Sequence, residues 1–258
     1  MYIFSGFFVG ILVGLTGVGG GSLMTPILLL IFGVAPASAV GTDLWFAALT
    51  KLVAGGIHHK KSLIDWQVVK RLWMGSIPAS ALMLYLMQGQ YIQIDRQLLT
   101  LGVASMVIVT AIGMVFQLQL QGFGKQLRIS HQDAFKAWQP LLTVLAGILL
   151  GALVTLTSIG AGAIGVVLLT YLYPLRLTPV KLVATDIIHA IPLAIFAGIG
   201  HLLMGHVDFA LLGLLLLGSV PGVLIGTKLS STLPPKYVRI ALAAVLLVVG
   251  VKLMIGAH

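Results

Sequence analysis

Eight long apolar stretches within 258 residues decide the solvent in which this chain folds. They fall at residues 2–33, 39–57, 66–87, 97–116, 139–173, 182–204, 209–227 and 237–255. Only 8% of the residues are charged, against roughly 25% in a soluble domain. Exposure of so much apolar surface to water is unfavourable, whereas the hydrocarbon core of a bilayer is itself apolar. The sequence therefore predicts one all-α, multi-pass transmembrane domain, 1–258, in the cell inner (plasma) membrane.

Two of these stretches, 2–33 and 139–173, are too long for one simple spanning helix, and glycine interrupts both near the middle. The interruptions are GVGGG at 17–21 and SIGAG at 158–162. An arm of 14–18 residues extends about 21–27 Å, which is shorter than a hydrocarbon core of about 30 Å. We predict that each stretch is a re-entrant helical hairpin with its glycine tip inside the membrane.

The two halves of the chain share an internal repeat. GILVG at 10–14 precedes the first interruption, and GILLG at 147–151 precedes the second. Further matches share an offset of 143 residues: Pro36 with Pro179, Thr42-Asp43 with Thr185-Asp186, and His58 with His201. A hairpin plus three spanning helices reverses the orientation of the second half, which predicts an inverted repeat. The predicted units are repeat 1 (1–116), a cytoplasmic linker loop (117–138) and repeat 2 (139–258).

The net charge of +9 comes from 15 Lys and Arg against 6 Asp. Nucleic acid is one partner for such a charge, but these residues lie in short loops, where they indicate membrane orientation instead. If 139–173 re-enters, twelve of them lie on one face and two on the other, with Lys51 inside the membrane. The basic face is predicted to be cytoplasmic. The absence of cysteine excludes disulfides and thiolate chemistry.

The two glycine tips are the first candidate site. A helix broken inside the membrane presents backbone N–H groups and the positive end of its dipole, and both attract an anion. We predict that the tips bind the substrate through Gly17, Gly19, Gly20, Gly21, Gly160 and Gly162. The alternative role of glycine is close helix packing, which the spacing of Gly6, Gly10 and Gly14 indicates. A Gly10→Ala change, outside the tips, is therefore expected to be mild.

Polar residues inside the predicted helices are the second group of candidates: Thr42, Asp43, Lys51, Thr185 and Asp186. Ionisable groups within a membrane are costly and typically face a functional interior. Lys51 aligns with Ala194 in the second half, so it offers a single cation to an anionic substrate. The alternative is structural, with each Thr-Asp pair bonded to the backbone exposed at the breaks.

Three histidines are candidates for proton coupling, because imidazole titrates near neutral pH: His58, His189 and His201. The alternative for these residues is an ordinary interfacial or packing position. No His-x3-His spacing or carboxylate cluster predicts a metal site. Nucleotide-loop and serine-elbow patterns are also missing from the sequence, so neither a cofactor nor a catalytic residue is predicted.

The motifs together resemble those of the sulfite exporter TauE/SafE family. They are Gly17-Val18-Gly19-Gly20-Gly21, Pro26 and Ala39-Val40-Gly41-Thr42-Asp43, with a weaker echo in Gly160-Ala161-Gly162 and Ala184-Thr185-Asp186. The resemblance covers almost the whole chain and implies proton-linked transport of sulfite, sulfonates or related sulfur oxyanions. The second half departs from the family pattern, with Ala184 where glycine is common and Val166-Val167 in the usual proline region.

The predicted function is secondary transport of a small anion. The alternatives are transport of another small solute, a channel, and a membrane enzyme or non-transporting component. An enzyme needs a nucleophile–base pair or a metal constellation, which the sequence does not show. The predicted partners are a small anionic substrate and the lipid bilayer, with no nucleic acid. The oligomeric state stays open, a homodimer being one option.

Overall fold

A computed structural model describes residues 1–16, 21–57, 63–89, 95–130, 132–160, 162–230 and 235–256. The described residues form ten α-helices, which confirms the predicted all-helical class. In chain order they are α1 (Tyr2–Thr16), α2 (Gly21–Leu30), α3 (Pro36–Ile57), α4 (Trp66–Gln88), α5 (Arg96–Ser130), α6 (Gln132–Thr157), α7 (Ala163–Leu172), α8 (Pro179–Leu203), α9 (Phe209–Leu229) and α10 (Pro235–Gly256).

Several of these helices are long and apolar enough to cross a membrane. By length and composition, the described residues contain five such segments: Arg96–Gln117, Phe135–Thr157, Pro179–Leu203, Phe209–Leu229 and Val238–Gly256. Helices α3 and α4 have comparable lengths of 22 and 23 residues. Large apolar side chains such as Leu217 and Val248 are exposed, as expected of surfaces that face lipid. The chain is a multi-pass membrane protein.

Both glycine-interrupted stretches fold back on themselves. At the open end of the first hairpin, the rings of Tyr2 and Phe32 lie 4.4 Å apart between centroids. At the open end of the second, the hydroxyls of Thr143 and Tyr173 are hydrogen-bonded at 2.8 Å. The chain therefore returns after each break to the level of its first arm. The depth of the tips in the bilayer and the inverted orientation of the halves stay predictions.

The structure differs from two expectations about α5 and α6: that 117–138 is a loop, and that both arms of the second hairpin are too short to cross the membrane. Residues 117–130 continue α5, and α6 already begins at Gln132, so the predicted linker 117–138 is not an irregular loop. The segment has a lower hydropathy than the membrane spans, as expected of a segment in contact with water. Its Gln, Leu and Lys residues nevertheless favour a helix. With 26 residues, α6 extends about 39 Å, long enough to cross the core. In the second hairpin only α7, with 10 residues, is a short arm of about 15 Å; α2 in the first hairpin has the same length.

Glycine brings two helix pairs into backbone contact. Gly10 of α1 lies against Ser219 of α9, and Gly151 of α6 lies against Ser76 of α4. A Cβ on either glycine would overlap the carbonyl oxygen of the facing serine. Ser76 and Ser219 are 143 residues apart, the offset of the sequence repeat, whereas Gly10 and Gly151 are 141 residues apart. The structure leaves no space for a methyl group at Gly10, so the mild effect expected of Gly10→Ala on transport does not extend to stability.

Two matching hydrogen bonds tie one half of the chain to the other. The backbone N–H of Asp65, the N-cap of α4, donates to Thr185 Oγ1 at 3.1 Å. The backbone N–H of Asp208, the N-cap of α9, donates to Thr42 Oγ1 at 3.0 Å. These residues again pair at the 143-residue offset. One bond attaches the start of α4 to α8, and the other attaches the start of α9 to α3. Helices α3 and α8 also pack against each other.

The α1–α9 contact gives a direct test of glycine packing. Gly10→Ala should lower the stability of the purified protein by about 1–3 kcal/mol, because the two backbones must separate to admit a methyl group. Thermal unfolding in detergent measures this loss. Gly213→Ala on α9 is the matched control, since a Cβ there meets no atom within 4 Å. Equal melting temperatures for the two variants would contradict the packing.

Single-cysteine labelling tests the predicted orientation, and the chain contains no native cysteine to remove. Lys136→Cys and Lys181→Cys replace exposed residues on either side of the second hairpin. Both should react with an impermeant maleimide from the same face, because a re-entrant hairpin returns to its starting side. Gln97→Cys, at the start of α5, should react from the opposite face. Labelling of 136 and 181 from different faces would refute the re-entrant topology.

Candidate functional site

The second break leaves the helical conformation through positive backbone angles. The φ angle is 59° at Ser158 and 130° at both Gly160 and Gly162. A φ of 130° is strained for any residue with a Cβ, so glycine is required at the latter two positions. Gly160 and Gly162 therefore lie at the tip of the second hairpin, as the sequence predicted, and both are buried.

The first hairpin contributes α2 to the same region. Gly21 begins this helix, whereas three predicted tip residues lie outside the described residues: Gly17, Gly19 and Gly20. About one turn into α2, Thr25 Oγ1 donates a short hydrogen bond to Oδ2 of Asp43 on α3. Both side chains are fully buried.

Asp43 connects the two hairpins. Besides its bond to Thr25 of the first hairpin, its carboxyl group lies beside the hydroxyl of Ser158 in the second break. Within the described part of the chain, neither Asp43 Oδ1 nor Ser158 Oγ has a hydrogen-bond partner. One carboxylate oxygen is thus fixed by Thr25, and the other is an unused acceptor next to the second tip.

Asp186 occupies the corresponding place on α8. Its carboxylate faces the backbone N–H of Gly162 and lies so close to Gly165 on α7 that a Cβ there would collide with Oδ1. Both of its oxygens lack a hydrogen-bond partner among the described residues. The protein's own carboxylate therefore faces the start of α7, the place where the sequence analysis expected an anionic substrate.

Lys51 lies in the interior with these two carboxylates. It is only 2% exposed, and its charge acts on Asp186 and, less strongly, on Asp43. The same charge reaches His189. The buried group thus combines two acidic side chains with one basic side chain, and Lys51 stabilises whichever carboxylate is ionised.

The threonines and histidines predicted as site residues make mostly structural bonds. Thr42 and Thr185 accept the backbone N–H groups that tie the two halves. His189 Nε2 is hydrogen-bonded to Ser76 Oγ at 3.0 Å, and its Nδ1 has no partner among the described residues. Among the described histidines, His189 is the one on which the charge of Lys51 acts.

His201 lies further along α8, away from Asp186 and Lys51. Its Nε2 donates to the carbonyl oxygen of Thr155 at 2.8 Å, which links α8 to α6. Its ring lies 5.5 Å from that of His206, which follows α8, and burial lowers the pKa of His206. The remaining candidate, His58, lies outside the described residues.

A cavity of about 340 Å³ opens between the hairpins, α5, α8 and the start of α10. It reaches Thr16 at the end of α1 and Ala163 at the start of α7. Its wall also includes Ala184 and Ile187, which flank the Thr185-Asp186 pair. The cavity therefore ends next to Asp186 and the second break, and its wall does not include Asp43, Lys51 or Asp186.

Sequence reasoning missed the polar residues of this wall. They are Gln117 and Gln121 on α5, Thr170 on α7, and Arg239 on α10. The sequence analysis counted Arg239 only as a loop charge, although it lies inside the apolar stretch 237–255. Arg239 could have been found by the criterion that identified Lys51, which is a charged residue within an apolar stretch.

The family of the chain follows from its match to a sequence model. The model for "Sulfite exporter TauE/SafE" matches residues 2–253, nearly the full length of the protein. The chain belongs to the sulfite exporter TauE/SafE family. This confirms the resemblance noted in the glycine and Thr-Asp motifs, and it makes the protein a membrane transporter rather than an enzyme.

Individual relatives agree with this assignment. The chain is 38% identical to "Probable membrane transporter protein YjnA" of Bacillus subtilis (strain 168), over 98% of both chains. It is 27% identical to "Probable membrane transporter protein YdhB" of the same organism, over 80% of this chain and 79% of the relative. A Haemophilus influenzae "Probable membrane transporter protein" is 28% identical over 62% of this chain and 58% of its own. No solved structure matches the chain.

The close approach of Gly165 to Asp186 yields a test of the site geometry. Gly165→Ala should reduce stability and transport, because its methyl group displaces the Asp186 carboxylate. In an Asp186→Ala background the same change should add little further loss, since the two residues share one space. Thermal unfolding of all four proteins gives the coupling.

Gly102→Ala on α5 is the control for this cycle, because its nearest neighbour would lie 3.9 Å away. Strictly additive losses at 165 and 186 would show that the two side chains do not compete.

Proposed function

We propose that this TauE/SafE protein is a proton-linked secondary transporter of a small anion, of the class of sulfite, sulfonates and related sulfur oxyanions. The observation that carries the proposal is a cavity whose wall presents a cation and that ends beside the buried carboxylate of Asp186. The family supports the substrate class through its description as sulfite exporters.

The wall of the cavity supports an anionic substrate. Within the described residues it contains Arg239 and several neutral polar side chains, and no Asp. An anion entering the cavity therefore meets donors and a positive charge without a facing negative charge. A volume of about 340 Å³ lies at the lower end of ordinary ligand pockets, which suits a small solute.

The buried acidic groups support proton coupling. Asp43 Oδ1 and both oxygens of Asp186 form no hydrogen bond of full geometry among the described residues; the donors that face them are the Ser158 hydroxyl and the Gly162 N–H. An isolated carboxylate is expensive in an apolar interior, and binding a proton removes that cost. The ammonium group of Lys51 compensates one of the two negative charges. Binding of one proton to a carboxylate neutralises the other. His189, within reach of Lys51, is the histidine best placed to pass that proton on.

The two hairpins provide the moving parts in this proposal. Asp43 contacts the first hairpin through Thr25 and lies beside the second through Ser158. A change in the protonation of Asp43 therefore alters both hairpins at once. We propose that the tip glycines of both breaks approach the substrate during transport, as in transporters built from inverted repeats with discontinuous helices.

Flux measurements in proteoliposomes test this function. Protein-containing vesicles should move sulfite, methanesulfonate or thiosulfate faster than protein-free vesicles, with saturation, and an imposed pH gradient should accelerate the movement. A pH-sensitive dye inside the vesicles should report protons moving with the anion. If none of these anions moves, the substrate class is wrong; if one moves independently of pH, proton coupling is wrong.

Asp43→Asn is the informative variant in the same assay. The amide keeps the size of the side chain and an acceptor for Thr25, but it does not bind and release a proton. We expect at least a tenfold loss of flux driven by the pH gradient in a folded protein. Asp95→Asn is the matched control, because Asp95 is an exposed N-cap of α5 and Asn caps helices as well as Asp does.

A further inference from the structure

A chain of directed hydrogen bonds holds Arg239 in the cavity wall. Arg239 Nη1 donates to Gln117 Oε1 at 2.8 Å, and Gln117 Nε2 donates to Thr170 Oγ1 at 3.2 Å. Thr170 Oγ1 in turn donates to the carbonyl oxygen of Val166 at 2.7 Å. Gln117 and Thr170 each accept a hydrogen bond from the previous residue of the chain and donate one to the next. The chain thereby fixes the Gln117 amide and, through it, the guanidinium group.

Three different helices supply this arrangement. Arg239 lies in the first two turns of α10, Gln117 lies on α5, and Thr170 lies on α7. All three side chains line the same cavity of about 340 Å³. A guanidinium group anchored on neighbouring helices in this way gives up little further side-chain freedom when it binds a ligand.

The guanidinium group has donors to spare. Its bond to Gln117 uses one of five N–H groups. Among the residues that the structure describes, no carboxylate forms an ion pair with Arg239. A half-buried arginine usually pairs with an acidic group, since a charge that leaves water needs compensation. Here only neutral groups orient the guanidinium group, which faces the open cavity.

We infer that Arg239, oriented by Gln117 and Thr170, forms an oxyanion-binding subsite in the wall of this cavity. The planar fork of donors matches two oxygens of a sulfite, sulfonate or similar group better than a point charge does. The same cavity continues to Ala163 and Ile187, beside the second break and Asp186. The subsite therefore collects the anion before it reaches the buried charges. This inference rests on the proposed anion transport.

A purely structural role for Arg239 makes a different prediction. If its bond to Gln117 only joined α10 to α5, its loss would lower stability and turnover without changing affinity. If it binds the anion, its loss raises KM and leaves kcat nearly unchanged, because removal of a recruiting contact weakens binding before the transport step. The split between KM and kcat therefore separates the two roles.

The test measures sulfite flux in proteoliposomes that contain the full chain. Arg239→Gln should raise the KM for sulfite about tenfold, the loss expected for one charge-assisted contact, with kcat within twofold of the wild type. Arg239→Lys, which keeps the charge but loses the fork, should raise KM about threefold. Lys136→Gln is the control: it removes an exposed charge from α6, outside the cavity wall, and should leave KM unchanged.

Two outcomes overturn the inference without touching the proposed function. One is wild-type sulfite flux with an unchanged KM in Arg239→Gln; the other is a loss confined to kcat and melting temperature. Failure of the wild type to move any sulfur oxyanion refutes the proposed function instead. Should Arg239→Gln not fold, the KM of Arg239→Lys decides, because a value equal to that of the wild type contradicts recognition by the fork.

Discussion

A helix that stops inside a membrane must satisfy its own backbone, because hydrocarbon offers neither donors nor acceptors. The second break meets this demand partly within itself: Gly165 N–H donates to the Gly160 carbonyl at 2.9 Å, and Val166 N–H donates to that of Gly162 at 3.1 Å. The carboxylate of Asp186 faces Gly162 from α8. The position of α8, the glycine at 165 and the path of α7 all depend on this local arrangement.

Backbone contacts determine which parts of the protein are mechanically connected. The first hairpin is packed through Gly10 against α9 of the second half, and the second hairpin through Gly151 against α4 of the first half. Such contacts leave no room for sliding, since backbone atoms on both sides already touch. Each hairpin is therefore attached to the opposite half of the chain.

The charged side chains of the candidate site lie in two separate places. Arg239 lies at the cavity wall and is held by neutral groups, whereas Asp43, Asp186 and Lys51 lie behind the wall in the interior. This separation keeps the carboxylates from repelling an anion at close range, yet their field still reaches the cavity through a medium of low polarity. In the proposed function, the anion and the proton therefore have different binding groups and share one electrostatic environment.

Part of this organisation could be predicted from the sequence. Apolar length and composition required a membrane, and glycines at 160 and 162 located a break where φ reaches 130°. The Thr-Asp pairs were also recognisable, because a polar pair inside an apolar helix needs a partner wherever it lies. The helices over 117–130 and 132–138 were missed. Hydropathy indicates the solvent around a segment, whereas helix propensity indicates the conformation of its backbone.

The sequence by itself determined the solvent, the helical class, the interruptions and the buried charges, because each depends on residues that are neighbours along the chain. Tertiary structure decided that Gly10 meets Ser219, that Asp43 lies between two hairpins, and that Gln117, Thr170 and Arg239 form one chain of hydrogen bonds. These residues are far apart in sequence, and only the packing of α5, α7 and α10 brings the last three together. No local sequence pattern encodes a contact between residues so far apart in the chain, because that contact depends on how whole helices pack against one another.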